Sequence, residues 1–154
     1  MKSVCFTGHR PMSFGGYNEN SPAIQWVKST LLYGIKWAIR RGYDTFITGG
    51  AIGVDNWAAE AVLQLRDEEK LPIKLVVAVP CLGQASKWPK HSKKRYDFIL
   101  ARADDVHYVS REEYYASLMH KRDKWMVNES SLVIAVWNGS EGGTAYTVRY
   151  ALKQ

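Results

Sequence analysis

The chain is expected to fold as an α/β protein, a three-layer sandwich around a five-stranded, mostly parallel sheet. Three observations predict this. Short apolar runs alternate with helix-period stretches five times along 154 residues, the pattern of a parallel sheet with helices on both faces and right-handed crossovers. Two of the runs, Ile73 to Val79 and Leu132 to Trp137, are apolar almost without interruption, which suits strands of a parallel sheet. Glycine-bearing loops follow the first, second and fifth runs, on the edge where such sheets bind ligands.

The first strand is read at residues 3–7, rich in β-branched and aromatic types, and Gly8-His9-Arg10-Pro11 ends it. Ser21-Pro22 gives an N-cap and a proline at the first helical position. Ile24, Val27, Leu31, Ile35 and Ile39 then mark a helix to about Arg41, with Gly42 as its C-terminal stop. The second strand is placed at about 44–48. It runs into Gly49-Gly50-Ala51-Ile52-Gly53, and the row Val54, Trp57, Ala58, Ala61, Val62 and Leu65 sets a helix over roughly 53–68. The third strand is 73–79, the basic segment 84–91 reads as a loop, and a helix follows over about 92–103. The fourth strand is about 105–109. A long helix from about Arg111 to Glu129 carries Tyr115, Leu118, Met119 and Met126 inward. The fifth strand, Leu132 to Trp137, leads through Asn138-Gly139-Ser140-Glu141-Gly142-Gly143-Thr144 into a last helix to about Leu152.

The length suits one domain over residues 1–154, and a hydrophobic fraction of 46% suits a packed core. No apolar run approaches the ~20 residues of a membrane span. The opening residues are too polar for a signal peptide, and two cysteines do not make a disulfide framework. A cytoplasmic protein with free thiols is the expectation. The formal charge is +6, which favours anionic partners. Lys87, Lys90, Lys93, Lys94 and Arg95, with Trp88 and His91 among them, form the densest basic cluster, a composition that suits single-stranded nucleic acid. No nucleic-acid motif accompanies it, so a small anionic ligand is the stronger expectation. No His/Cys grouping has zinc spacing, and neither a metal nor a cofactor is expected.

The candidate site follows from the loops. Gly49, Gly50 and Gly53 stand where a strand turns into a helix, so they form either a phosphate cradle or a plain tight turn. Gly142, Gly143 and Thr144 open the last helix in the same way. Arg122 lies on the row of Leu118 and Met126, which otherwise faces the core. It either pairs with a carboxylate such as Asp123 or Glu129 or reaches an anionic ligand group. Gly8, His9 and Arg10 follow the first strand directly. Arg10 suits phosphate; His9 suits either a ligand oxygen or a hydrogen bond that orders the loop. Asp55 is either a dipole-stabilising residue or a hydroxyl acceptor. Trp88 and Trp137 suit stacking on a base or simple core packing.

Together, Thr7-Gly8-His9-Arg10-Pro11, the block from Thr48 to Glu60, Arg122-Asp123-Lys124-Trp125-Met126-Val127, Ile134 to Gly139 and Gly142-Gly143-Thr144 resemble the YpsA-like branch of the SLOG superfamily. LOG phosphoribohydrolases and the Rossmann domain of DprA are its relatives. The resemblance covers nearly the whole chain. It implies a Rossmann-like fold binding a nucleotide or nucleotide-derived ligand. It adds Asn138 and Gly139 to the binding set and matches Gly142, Gly143 and Thr144 to the phosphate-holding motif. LOG enzymes cleave an N-glycosidic bond with an arginine and a glutamate. Here the motif's proline is missing, and Ala145-Tyr146 stand where LOG enzymes have paired acids. Binding or sensing is therefore expected ahead of hydrolysis, with Glu60 and Glu141 as the candidate carboxylates for an N-glycosidase. A DprA-like nucleic-acid module using residues 87–95 is the third reading. Trp26, Tyr33 and Trp37 share a face of the first helix and suggest a homodimer.

Overall fold

A computed structural model of the chain describes residues 2–113 and 117–154. Five strands alternate with five helices: β1 (Ser3–Gly8), α1 (Pro22–Arg40), β2 (Thr45–Thr48), α2 (Val54–Asp67), β3 (Lys74–Val79), α3 (Lys90–Arg102), β4 (Asp105–Tyr108), α4 (Ser117–Asn128), β5 (Leu132–Val136) and α5 (Gly143–Leu152). A 3-10 turn, Pro11–Phe14, follows β1. The sheet order is β4-β3-β2-β1-β5, and all four pairings are parallel. The α/β expectation holds.

Strand alternation divides the core in two. Val4 and Phe6 of β1, Phe46 of β2 and Val77 and Val79 of β3 point to one face, where they meet Ile24, Leu31, Trp57, Val62 and Ile99 of α1, α2 and α3. Their chain neighbours Cys5, Ile47 and Ala78 point to the other, against Met126 and Val127 of α4. This is the period-2 rule of a strand, applied to runs that are apolar on both faces. α5 packs beside α4 on this second side.

Strand order explains where the site lies. From β1 to β4 the chain steps one way across the sheet, with α1 to α3 on one face. It then returns through α4 to lay β5 on the far side of β1. The reversal therefore falls between β1 and β5, and the loops leaving them diverge to opposite faces and open a crevice.

Local signals explain the helix ends. Ser21 accepts from the Ile24 N–H at 3.4 Å, with Pro22 as the first helical residue. Gly42 takes φ +89° and donates to the Ile39 carbonyl. The structure corrects two expectations. α3 begins at Lys90, so Lys90 and His91 are helical rather than part of the loop. Arg111–Glu113 are not helical, so the long helix does not run from Arg111. Its described part begins at Ser117, and the inward role given to Tyr115 lies outside the described residues. β5 is an edge strand whose residues are half-buried or exposed, although its run is as apolar as that of β3. Apolar continuity reports helices on both faces, not a neighbour on both edges. Among the described residues no helix is long and apolar enough to cross a membrane.

Candidate functional site

A cavity of about 300 Å³ lies at the crevice. Gly8, His9 and Arg10 from the β1 loop, Asp55 from the first turn of α2, Arg122 from α4, and Gly142, Gly143 and Thr144 from the start of α5 all line it. Four separate sequence blocks thus converge on one space.

Arg122 is 4% exposed. Its Nη1 donates to the Gly49 carbonyl at 2.6 Å and its Nε to Asp123 at 2.7 Å. Burial works against its charge, but Asp123 and Asp55 outweigh that and hold the guanidinium protonated. Both readings of this residue therefore meet in one place. Arg122 is ion-paired within the protein, and it also forms part of the cavity wall.

Asp55 is buried, and its carboxylate accepts from the Ala51 N–H at 3.3 Å. Burial pushes its carboxyl up to about 6, against the pull of Arg122. A buried carboxyl in a cleft, titrating near neutrality, is characteristic of sites that handle protons or hydroxyl groups. Asn56 beside it, with its amide nitrogen turned to the loop, donates to the Gly50 and Ala51 carbonyls at 3.0 and 3.3 Å. Asp55 and Asn56 thereby tie down the turn that precedes them.

The two glycine loops differ. A Cβ on Gly49 would lie 2.6 Å from the Arg122 Cζ. Gly53 has φ +104°, and a Cβ there would lie 2.8 Å from the His9 carbonyl oxygen. Gly50, at φ +74°, would press a Cβ to 3.0 Å from the Tyr96 ring. These glycines are required by protein packed against them, and none of the three lines the cavity. Gly139, Gly142 and Gly143 have nothing within 4 Å of a Cβ position. α5 starts at Gly143, and its N-cap Gly142 offers no side-chain cap, so the first N–H groups of the helix open toward the cavity.

His9 joins the two loops of the crevice. The Asn138 N–H donates to His9 Nε2 at 3.2 Å, while the Asn138 side-chain oxygen accepts from the Ser140 N–H at 3.0 Å. That is the loop-ordering role, and Asn138 and Gly139 themselves do not line the cavity. Trp88 is half-buried, edge-on to Tyr96 at 5.2 Å between ring centroids, and lines an adjoining chamber.

Glu60 and Glu141 do not line the cavity. Glu60 accepts from Arg95 Nε at 2.9 Å on the outer side of α2, next to Glu19. Glu141 is exposed and paired with Arg149. The carboxylates that do line it are Asp55 and Asp123. Met119, His120 and Asp123 were missed as site residues. A signal was present: Met119, Arg122 and Asp123 stand at i, i+3 and i+4, so once Arg122 is a candidate its helical neighbours follow. Within the basic cluster, Arg95 is held by Glu19 and Glu60, leaving Lys87, Lys90 and Lys94 exposed. Cys5 is buried, and burial pushes its thiol up to about 12, which leaves it inert at neutral pH.

The fold and the crevice define a Rossmann-like α/β protein with a polar, glycine-edged cavity at its switch point. The model of the YspA SLOG family (YpsA) matches residues 4–154, and the chain belongs to that family. The UPF0398 protein of Bacillus cereus (strain B4264) is 28% identical over 156 residues, covering 100% of this chain and 84% of that protein. A UPF0398 protein of Bacillus thuringiensis (strain Al Hakam) matches with the same identity and coverage. Among solved structures, DNA processing protein A of Helicobacter pylori, described for its single-stranded DNA binding mode, superposes with TM-score 0.66 at 19% identity. DprA of Streptococcus pneumoniae superposes with TM-score 0.68 at 18% identity. Each covers 99% of this chain, while the chain spans 61% and 47% of those two structures. At such identity the likeness is one of fold.

Proposed function

We propose that this chain binds a nucleotide or nucleotide-derived phosphorylated ligand in the crevice between the β1 and β5 loops. One observation carries the reading: the open, uncapped start of α5 at Gly142-Gly143-Thr144 shares a cavity with Arg10 and the buried Arg122. Free N–H groups at a helix N-terminus and guanidinium groups are complementary to phosphate oxygens. Asp55 is the hydroxyl acceptor of this site. Family membership supports a nucleotide-related role.

Binding is favoured over N-glycosidic hydrolysis because Glu60 and Glu141 are engaged by arginines outside the cavity, whereas a catalytic carboxylate must reach the sugar. The nucleic-acid reading draws on the DprA likeness and on the exposed Lys87, Lys90 and Lys94. We also propose a homodimer through the α1 face that exposes Trp26 and Tyr33, each 66% exposed.

The test is calorimetry with inorganic phosphate and nucleoside monophosphates, together with native mass spectrometry of protein purified from cells. Micromolar to millimolar binding that Arg10→Ala weakens about tenfold, the effect of one charged hydrogen bond, is expected. Binding that neither Arg10→Ala nor Gly143→Ala alters would move the site elsewhere. Release of free base that survives Glu60→Gln and Glu141→Gln but stops in Asp55→Asn would make the protein a hydrolase using a different acid. Affinity for single-stranded DNA that falls steeply with salt would favour the DprA-like reading.

A further inference from the structure

We propose that the chamber beside Trp88 is the base subsite of this ligand and that it selects a guanine-type base. The inference rests on the phosphate reading of the crevice and extends it. A second cavity of about 620 Å³ adjoins the first, with Arg10 and Met119 lining both. The two chambers therefore abut at these residues, and a ligand longer than phosphate can extend from one toward the other.

The chambers differ in chemistry. The first presents the N–H groups at the start of α5, Arg10 and Arg122, together with the carboxylates of Asp55 and Asp123. The second presents a half-buried indole, Trp88, fixed edge-on by Tyr96, which provides an aromatic wall for a planar ring. Gln84 is buried in its floor and already engaged. Its nitrogen donates to the Tyr96 hydroxyl at 3.2 Å, and its oxygen faces Arg122 Nη1 at 3.5 Å. Among the described residues, the ionisable groups lining this chamber besides the shared Arg10 are Lys87 and Glu113, both exposed. The backbone holds Glu113 near this loop, because the Leu82 N–H donates to the Glu112 carbonyl at 3.3 Å.

An ionised carboxylate only accepts. Phosphate seats at the other end, where the N–H groups at the start of α5 and Arg122 line the first chamber, and that fixes the ligand's direction. The carboxylate sorts bases. Guanine presents two adjacent N–H donors on one edge, and a carboxylate takes both side by side, as it takes the two N–H groups of an arginine fork. Adenine and cytosine present one donor beside an acceptor, and hypoxanthine lacks the second donor. A polar site discriminates by such missing partners.

The experiment is calorimetry of the full chain with GMP, IMP, AMP and inorganic phosphate. GMP is expected to bind about tenfold more tightly than IMP or AMP, one charged hydrogen bond's difference. Trp88→Ala should lower GMP affinity at least tenfold and leave phosphate affinity unchanged, while Trp88→Phe keeps a stacking face and most of the affinity. Glu113→Gln should bring GMP down to the level of IMP. Glu113 is exposed, so this variant keeps the test valid even where Trp88→Ala loosens the fold. Phosphate-dependent binding that is equal for the three nucleotides, or unmoved by Glu113→Gln or by Trp88→Ala, overturns the base subsite and leaves the crevice reading standing. Failure of phosphate and all three nucleotides to bind overturns both.

Discussion

Removing the Arg122 side chain would strip the Gly49 carbonyl of its donor and leave Asp123 and Asp55 without their buried cation. Breaking a buried pair from one side costs about 3–5 kcal/mol. Arg122→Ala should therefore lower unfolding stability by about that much, measured by urea denaturation, besides any loss of ligand. Asp55 works in the opposite direction. Its folded carboxyl titrates at about 6, above the ordinary ~3.9 of an unfolded aspartate. The folded chain then holds the proton more tightly, so this contribution to stability is complete below about pH 4 and is lost as pH rises through 6. Asp55→Asn should raise stability at pH 7.5 by about 2–3 kcal/mol and flatten the pH–stability curve between 4 and 6. Thermal melts across that range check it, and an unchanged curve would mean Asp55 is ionised without cost.

At the scale of elements, the glycine loops make the sharpest contrast. Gly49→Ala drives a methyl into the Arg122 guanidinium and should destabilise the protein by about 1–3 kcal/mol, the usual cost of overpacking. Gly143→Ala meets open space and should leave the melting temperature nearly unchanged while weakening phosphate binding. Paired melts and titrations of the two variants test this, and equal effects on stability would erase the distinction. In sequence the two loops look alike. A Gly-Gly step between strand and helix says that backbone must come close to something, not whether that something is ligand or protein. The strands and most helices were legible because apolar period alone sets them. The start of the long helix was not, since Arg111-Glu112-Glu113 continue a helix-compatible pattern yet are not helical. Glu60 misled for a related reason. Its distance in sequence from the glycines is short, but its direction on α2 is set by the arginine it meets, 35 residues away.

Strand order belongs to the whole molecule and was not readable from any segment. The alternation allows several parallel arrangements. Only the return of α4 across the sheet places β5 beside β1, and so brings Gly142-Gly143 to Arg10. The outer face of α1 also acts at this scale. Trp26 and Tyr33 are exposed, whereas Trp37 is half-buried with the Arg41 guanidinium 3.7 Å above its ring. The association face is thus smaller than the three aromatics suggest. Light scattering at micromolar concentration should give a dimer mass, and Trp26→Ser with Tyr33→Ser should give a monomer. A monomer before substitution removes the proposal.

The edge position of β5 has a consequence in time. β2, β3 and β4 each pair with the strand before them, through connections of moderate length. β5 pairs with β1, Leu132 opposite Val4, across nearly the whole chain. Contacts of such long sequence separation form late, because closing the intervening chain costs entropy before the contact rewards it. Half of the crevice, including Gly142, Gly143 and the Asn138 partner of His9, arrives with this strand. A ligand held there recognises only a chain that has finished folding. It should therefore slow unfolding in stopped-flow experiments and leave the refolding rate untouched.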